Sequence, residues 1–259
     1  MLLFIASVKT FISSLVLIFI ISLSAINSYS AVGDPNRYWP VGSTIDVLFL
    51  DGSQQDQNFV IVNALKWTHA ANIKFNFYNI RVPGRNYQVR ITFKGCNNRS
   101  ELGTDALLVP QNKPTMMLPV FNSIAASQSN KARVVYHEFG HVLGLKHEHQ
   151  SPRFAFSRNS VAVEKCIKAK LKKISCYNNE WSDEDAVNKK IFELCAASYE
   201  PLPATDYAFT DFDSKSIMMY NIGAGTIADY PYVYFDKSET ISKVDLSFVA
   251  NAYPKSDSQ

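Results

Sequence analysis

Three histidines, a glutamate and a glycine lie close together in the middle of the chain, at spacings that suit a metal ion. His137 and His141 are four residues apart, so on a helix they project from the same face, one turn above the other. Glu138 can hold a metal-bound water and accept its proton. Gly144 can adopt the left-handed conformation that ends a helix, which would turn His147 back to the same ion. Three neutral imidazoles leave one coordination position for water, so the pattern predicts a catalytic zinc site.

The extended pattern H-E-x-x-H-x-x-G-x-x-H is far rarer than the bare H-E-x-x-H, which ordinary surface histidines on a helix can form. It is typical of the metzincin zinc proteases. Four of the five histidines of the chain fall between His137 and His149. His149 lies two residues beyond the third ligand, in a stretch that leaves the site, and is interpreted as structural.

Further motifs narrow the resemblance. Glu148 directly follows the third histidine, and with it the stretch resembles the signature of the astacin family of zinc endopeptidases. Residues 216–220, Ser-Ile-Met-Met-Tyr, are similar to the Met-turn of that family, S-[IV]-M-x-Y. Residues 246–247 and 250–254 resemble its closing helix. The likeness extends from about residue 38 to residue 254.

The resemblance implies roles for individual residues. In astacins the methionine of the Met-turn forms an apolar floor under the zinc histidines, and Met218 occupies that place. The tyrosine two residues later, here Tyr220, approaches the metal, can ligate it at rest and stabilises the oxyanion. Gly144, Glu148 and Met218 are therefore expected to support the site, while Glu138 and Tyr220 are expected to be catalytic.

The same resemblance implies an α+β fold, the two-lobed metzincin architecture. An N-terminal lobe, about residues 31–144, would hold a twisted mixed β-sheet and two long helices. The C-terminal lobe, about residues 145–254, would be irregular and end in a closing helix, with the zinc cleft between the lobes. A cysteine-containing helical insertion is expected at about residues 160–198. By position, a strand within residues 97–104 would form the sheet edge that binds an extended substrate.

The expected activity is that of a secreted zinc-dependent endopeptidase with one catalytic Zn²⁺. Glu138 would take a proton from the attacking water and pass it to the leaving amine. The alternative is a non-catalytic secreted zinc-binding or interaction module that retains the fold. Such a module would need a lost glutamate, a blocked fourth position or a broken Met-turn, and the sequence shows none of these.

Composition fits a compact enzyme of 259 residues. The chain is 47% hydrophobic and 19% charged, which argues against intrinsic disorder and predicts a single catalytic domain over residues 31–259. A net charge of +3, with no basic-aromatic pattern, is too mild to indicate nucleic acid binding. The expected partners are protein or peptide substrates, without stable membrane association, and the expected state is a monomer.

The first thirty residues resemble a signal peptide. Lys9 precedes an apolar run over residues 11–26, and Ser28 and Ser30 provide small residues for cleavage near Ser30–Ala31. The run is shorter than the ~20 apolar residues of a spanning helix, so secretion is preferred to an uncleaved anchor.

Four cysteines are compatible with two disulfides in an oxidising compartment, and their spacing leaves three connectivities open. No C-x-x-C spacing suggests a redox or metal role. Compared with the family, the usual partner of Cys96 just before the metal helix is missing. The other cysteines, Cys166, Cys176 and Cys195, fall in the predicted insertion.

Periodicity predicts the remaining elements. Strands are expected at residues 43–50, 73–77, 87–93 and 115–120. Helices are expected at residues 53–70, 130–143, 160–174 and 182–197.

The N-terminus suggests how the enzyme becomes active. Only residues 31–36 separate the predicted cleavage site from the start of the catalytic domain, which leaves little room for an inhibitory segment. In astacins the new terminal ammonium pairs with the glutamate after the third histidine. We therefore expect signal cleavage to free Ala31 and let it pair with Glu148, since an unpaired buried charge is destabilising. The alternatives are that Glu148 faces solvent or bonds a nearby side chain, and that Asp34 has a vestigial zinc-blocking role.

Overall fold

The computed structural model describes residues 31–153, 160–176, 184–197, 200–220 and 238–256. The predicted signal peptide lies outside the described residues, as do parts of the predicted insertion. Within these ranges, no helix is both long enough and apolar enough to cross a membrane.

The described residues contain strands and helices in a mixed order. The strands are β1 (Val32–Gly33), β2 (Thr44–Phe49), β3 (Lys74–Tyr78), β4 (Val89–Thr92), β5 (Arg99–Ser100), β6 (Met116–Met117) and β7 (Ala208–Phe209). The α-helices are α1 (Gln54–Ala64), α2 (Gln128–Val142), α3 (Ser160–Leu171), α4 (Glu184–Ala197) and α5 (Lys243–Ala252).

Five strands form a mixed sheet in the order β3-β2-β4-β6-β5. The pairs β2–β3, β2–β4 and β4–β6 are parallel, whereas β5 pairs with β6 antiparallel and lies at an edge. The edge strand predicted within residues 97–104 is therefore present. The α+β fold class with a mixed sheet is confirmed.

The core lies where α2 packs against the sheet. Alternate residues of β2, among them Ile45 and Val47, are fully buried in the main apolar cluster. Phe139 of α2 contacts Phe75 of β3 edge to face, with ring centroids 5.2 Å apart. Burial of these large side chains fixes α2 on the sheet, since each contributes roughly 1.5–3 kcal/mol on leaving water.

The closing helix α5 is tied to the end of α2. The Tyr253 hydroxyl donates to the Leu143 carbonyl (2.9 Å), and the Trp39 indole N–H donates to the Val142 carbonyl (2.7 Å). These two buried side chains satisfy carbonyls that a helix C-terminus leaves open. The last turn of α2 is thereby held by one residue from the N-terminal part of the chain and one from the C-terminal part.

Helices α3 and α4 form a hairpin braced by two disulfides. The pairs are Cys96–Cys176, which joins the hairpin to the segment before β5, and Cys166–Cys195, which joins the two helices. Together with Val187 and Ile191, the buried Cys96 and Cys195 form a second, smaller apolar cluster. The structure thus selects one of the three connectivities.

The predicted elements match the observed ones to within a few residues, with one correction. The helix expected at residues 53–70 ends at Ala64, and a short 3₁₀ turn, Trp67–His69, follows. Trp67 is fully buried there and its indole N–H donates to the Tyr136 carbonyl (3.1 Å). This contact with α2 overrides the local helical pattern.

Candidate active site

The turn after α2 has the geometry that the glycine predicts. Gly144 has φ +85°. The Gly144 N–H donates to the His141 carbonyl (2.8 Å), and the Leu145 N–H donates to the Gly140 carbonyl (3.0 Å), as in a Schellman motif. A Cβ at Gly144 would lie 2.6 Å from the Tyr38 ring. Both the backbone conformation and the available space therefore require glycine here.

This turn brings the three predicted histidines together. One nitrogen from each of His137, His141 and His147 lies within 4.8 Å of the others, and the Nε2 atoms of His141 and His147 are 3.1 Å apart. Among the histidine, cysteine and acidic residues that the structure describes, these three histidines are the set close enough together to hold a metal ion.

Backbone carbonyls orient two of the rings. His137 Nδ1 lies 2.9 Å from the Ile217 carbonyl and His141 Nδ1 lies 2.8 Å from the Leu145 carbonyl. A carbonyl can only accept, so each Nδ1 carries the proton and each Nε2 presents a lone pair. Such orienting contacts are typical of metal-binding histidines.

Burial keeps the three imidazoles neutral. It lowers the pKa of His137 to about 3 and that of His141 to about 4, and it lowers the pKa of His147 well below its usual value. In each case neighbouring positive charge adds to the effect. Neutral rings can ligate a metal without first losing a proton.

Glu138 lies buried beside the histidines. Its side chain is 4% exposed, and burial raises its pKa to about 8, although the positive charge of Arg133 opposes the shift. Within the described part of the chain, its Oε2 atom has no hydrogen-bond partner. A buried carboxylate oxygen without a partner fits a position that faces a metal and its water. Three neutral imidazoles with this carboxylate at their edge form a donor set suited to zinc.

The Met-turn, residues 216–220, packs against α2 at Gly140. Met218 is 1% exposed and its carbonyl accepts from the Glu148 N–H (3.1 Å). A Cβ at Gly140 would lie 2.5 Å from the Met218 sulfur. Gly140, between the two histidines of α2, therefore allows the close approach of Met218. The sequence interpretation did not single out this glycine.

Tyr220 lies against the histidine cluster. Its ring centroid is 4.2 Å from that of His147 and 6.3 Å from that of His137. The ring of His149 stacks on Tyr220 at 4.3 Å, and His149 itself does not belong to the three-histidine group. The Met-turn thus places both predicted side chains, one under the histidines and one beside them.

Solved structures of other proteins resemble the whole chain. One structure of myroilysin matches with a TM-score of 0.67 at 29% identity, over 87% of this chain and 99% of that one. A crystal structure of myroilysin matches with a TM-score of 0.61 at 30% identity, over 85% of this chain and 86% of that one. Myroilysin is an astacin-family zinc metalloprotease. The chain belongs to the astacin family.

A more distant match shares the fold. High choriolytic enzyme 1, a hatching enzyme zinc-protease from the medaka fish Oryzias latipes, has 16% identity and a TM-score of 0.51 over 84% of this chain and 94% of its own. No protein-family model matches the chain, and no curated protein does. As an astacin, the protein is a zinc metalloprotease.

The glutamate that follows the third histidine of this astacin is fully buried. Glu148 Oε1 accepts from the Asp213 N–H (2.9 Å). The backbone N–H of Ala31 donates to Thr210 Oγ1 (2.8 Å), three residues before Asp213. Ala31 and Glu148 are therefore both held by the segment 210–213. Of the alternatives, the one in which Glu148 faces solvent is wrong.

A residue that the sequence interpretation missed connects the closing helix to the metal site. Asp245 is fully buried, and its carboxylate accepts from Ser216 Oγ (2.7 Å), the Ile217 N–H (2.8 Å) and the Ser242 N–H (3.0 Å). Burial raises the pKa of Asp245 to about 6 against the effect of these donors. Ile217 in turn orients the His137 ring. The spacing of Ser242 and Asp245, a capping box at the start of α5, was the available sequence signal.

Two cavities flank the histidines. One, of about 340 Å³, is lined by residues of β5 and by Lys146 and Gln150. The other, of about 370 Å³, is lined by Arg133, Val134 and Met219. Both also touch Asn98, His137, Glu138 and Tyr220. Such a cleft suits an extended chain that passes over the metal site.

Proposed function

We propose that this astacin is a secreted zinc endopeptidase in which His137, His141 and His147 hold the metal and Glu138 is the general base. The supporting observation is the convergence of three neutral histidine nitrogens beside Glu138, at the meeting point of two cavities. Gly144, Glu148 and Met218 support this arrangement.

Zinc bound to the three rings would polarise a peptide carbonyl and lower the pKa of the attacking water. Glu138 follows His137 on α2 and lines both cavities together with it. It accepts the proton of the attacking water and then donates it to the amine of the leaving half of the substrate.

Tyr220 is proposed to stabilise the negative charge that develops on the carbonyl oxygen. Its ring lies beside that of His147, and Tyr220 lines both cavities. A hydroxyl donor aimed at a developing oxyanion contributes most in a site that excludes water.

The substrate is proposed to lie extended along β5. The cleft that holds it would separate an N-terminal lobe, about residues 31–144, from a C-terminal lobe, about residues 145–254. The C-terminal lobe would include the insertion at about residues 160–198. Among the described residues β5 is the last strand of the sheet, and its residues line the cleft. An added strand would gain main-chain hydrogen bonds there. The proposed partners are protein or peptide substrates.

Secretion is proposed from residues 1–30 and from the two disulfides. Disulfides persist in oxidising compartments, so the pairs Cys96–Cys176 and Cys166–Cys195 fit an extracellular enzyme. N-terminal sequencing of the protein from the culture medium should give Ala31 as the first residue. Retention of Met1 in a membrane fraction would contradict the proposal.

The central experiment compares proteolysis with metal content. Casein digestion by the secreted protein should stop in the presence of a chelator and return when zinc is added. Metal analysis should give one zinc ion per chain. Chelator-resistant digestion would contradict zinc catalysis.

The Glu138→Ala variant tests the general base. It should keep one zinc ion per chain and lose kcat by several orders of magnitude, because the proton acceptor is gone. The Glu239→Ala variant, which removes an exposed carboxylate in the segment before α5, is the matched control and should digest casein normally. Wild-type rates in the Glu138→Ala protein would refute the assignment.

A further inference from the structure

One side of helix α3 carries a row of lysines. Lys165, Lys168 and Lys172 follow one another at spacings of three and four residues, so they lie on the same side of the helix. The Lys172 N–H donates to the Lys168 carbonyl (3.3 Å), which continues the helical geometry to the last of the three. All three residues are exposed. They form a basic face that extends over about 10 Å along the helix axis.

Packing against α4 determines the direction in which the basic face points. Val163, Cys166 and Ile167 lie on the other side of α3 and pack against the second apolar cluster of the molecule. Cys166 is also joined to Cys195 of α4 by a disulfide. Because these contacts hold the apolar side of α3 against α4, the helix cannot turn its lysines inward.

The positive charge of the chain is concentrated in this segment. Residues 160–176 contain five lysines and one glutamate, a formal charge of +4, whereas the whole chain has a net charge of +3. The remainder of the chain is therefore close to neutral. Glu164 lies 3.7 Å from Lys168, but the two side chains are 64% and 74% exposed, and such a surface pair contributes little. A local positive field of this kind attracts polyanions.

From this arrangement we infer that the basic face binds a linear anionic polysaccharide, through the sulfate or carboxylate groups along its chain. Each lysine ammonium has three rotatable N–H donors on a flexible stem, so it can contact an anionic group without a fixed geometry. A row of such groups suits a flexible polymer with repeated negative charges. Binding requires only that the hairpin stay folded with the basic face outward.

A bilayer surface fits α3 less well than a polysaccharide does. A helix that lies on a membrane buries an apolar face among the lipids. The apolar side of α3 is already used in packing within the hairpin. Leu171, 40% exposed, is the large apolar side chain that the described part of α3 leaves open to solvent. A single leucine provides too little apolar area for stable insertion.

Single-stranded nucleic acid also fits the basic face less well. Proteins that bind it commonly stack the bases on aromatic rings, with further contacts from arginine. Residues 160–176 contain neither an aromatic residue nor an arginine. The segment therefore offers charge without a surface on which bases can stack.

The hairpin connects the basic face to the strand that lines the cleft. The Lys173 ammonium donates to the Cys96 carbonyl (3.0 Å) and to Asn97 Oδ1 (3.3 Å), and Cys176 is disulfide-bonded to Cys96. Cys96 lies two residues before Asn98, which lines both cavities. A polysaccharide bound to α3 would thus hold the cleft near proteins attached to the same polymer and raise their effective concentration.

The direct test measures binding of the secreted protein to heparin, a sulfated probe, and to polygalacturonate, a carboxylated probe, by titration calorimetry at increasing NaCl. Wild type should bind at least one of them, with an affinity that falls as salt screens the exposed charges. The variant with Lys165→Gln, Lys168→Gln and Lys172→Gln should bind that probe ~10-fold or more weakly, since three ion pairs are lost. Its melting temperature and its digestion of free casein should match those of wild type.

The matched control carries Lys74→Gln, Lys94→Gln and Lys113→Gln. It loses the same number of positive charges from exposed residues outside α3, and it should keep the wild-type affinity for the probe. The Glu138→Ala protein should also bind like wild type. Binding is thereby measured independently of the proposed peptidase function, and failure of one does not imply failure of the other.

A second readout, which rests on the proposed function, uses casein coupled to beads that carry the bound probe. Wild type should digest this casein several-fold faster than the α3 variant does, because the polymer holds the cleft near its substrate. The two proteins should digest casein on uncharged beads equally. Equal rates on both kinds of beads would refute the effect of the bound polymer on the cleft.

Three binding results would overturn the inference. The first is that wild type binds neither polysaccharide at low salt. The second is that the α3 variant keeps the wild-type affinity, or that the control loses as much, since net charge rather than the basic face would then attract the polymer. The third is tighter binding to vesicles of anionic phospholipid or to a single-stranded DNA oligonucleotide than to either polysaccharide, which would assign the basic face to another partner.

Discussion

The zinc-site scaffold and the disulfide hairpin are held together by different means. The zinc-site scaffold consists of α2, residues 144–148, residues 216–220 and α5. In it, segments remote in sequence are held together by directional contacts, as where the Ile217 carbonyl orients His137. The disulfide hairpin consists of α3, the residues that follow it up to Cys176, and α4. Its described apolar cluster is small, and two disulfides hold it together and to the rest of the chain.

This difference shows what each region needs. A metal site must hold nitrogen atoms within a fraction of an ångström, so it depends on many directional contacts. A surface hairpin needs only to stay folded, and a covalent link can replace a large core. Changes in the scaffold should therefore alter chemistry, whereas changes in the hairpin should mainly alter stability.

After Glu138, the largest effect on activity is expected from the Tyr220 hydroxyl. Tyr220→Phe should bind zinc normally and lose kcat by ~10²-fold, since it removes one donor to the oxyanion. Kinetics on casein-derived peptides, with zinc analysis, would measure this. Tyr78→Phe, which removes a hydroxyl near Asp46 in the sheet, is the control and should leave kcat unchanged. Equal rates for Tyr220→Phe and wild type would assign the tyrosine a purely structural role.

A smaller effect on the site is expected from Asp245. Asp245→Ala leaves the Ile217 and Ser242 N–H groups buried without their acceptor, which should lower the free energy of unfolding by ~2–5 kcal/mol. The shifted Ile217 carbonyl should also weaken zinc binding by ~10-fold, as loss of an orienting contact commonly does. Asp245→Asn should restore part of the affinity.

The first helix of the chain provides the control for Asp245. Ser53 and Asp56 form a similar cap on α1, far from the histidines in sequence and with an exposed hydroxyl contact. Asp56→Ala should cost at most ~1 kcal/mol of stability and leave zinc affinity unchanged. If both variants lose zinc equally, Asp245 has no special connection to the site.

The pairing of Ala31 with Glu148 should have a more moderate effect. Strand β1 pairs with β7, and the Lys146 N–H donates to the Val32 carbonyl (2.7 Å), so the N-terminal segment lies against the turn after α2. Two residues added before Ala31 should lower activity by up to ~10-fold, through loss of one charged contact. Glu148→Ala should have a similar effect, and the two changes together should cost little more than either alone. Full activity of both single variants would exclude the pairing.

The sequence predicted the residues proposed to hold and position the metal, because zinc chemistry requires particular side chains at particular spacings. His137, His141, His147 and Gly144 were found in this way, and the geometry brings the three histidines together. Gly140 was missed because its requirement comes from Met218, far along the chain. Asp245 was missed because its capping box indicates only a helix start, whereas its importance comes from burial against the Met-turn.

The fold was predictable to a similar degree. Strands with period-two alternation and helices with clear caps were placed to within a few residues. The break after α1 was not, because the burial of Trp67 against α2 decides it. The disulfide connectivity could not be predicted either, because spacing in sequence does not determine which cysteines are close in space.

The smallest effects on activity are expected from removal of the two disulfides. These variants also test most directly whether the zinc-site scaffold and the disulfide hairpin are held independently. In the chain-entropy account, removal of Cys96–Cys176, which spans 80 residues, and of Cys166–Cys195, which spans 29, should cost ~4.5 and ~3.6 kcal/mol. Stability alone will therefore hardly separate the paired serine variants Cys96→Ser/Cys176→Ser and Cys166→Ser/Cys195→Ser.

Activity should separate them. Cys96 leads directly into Asn98 and β5, which line the cleft, and Lys173 of the hairpin donates to the Cys96 carbonyl (3.0 Å). Loss of Cys96–Cys176 should raise KM several-fold with little change in kcat, because the strand that binds the substrate loosens while the metal ligands stay in place. Loss of Cys166–Cys195 should leave both constants unchanged below the melting temperature of the variant. If the second variant also loses activity, the hairpin supports the zinc site itself, and the division of the molecule into two independently held regions is wrong.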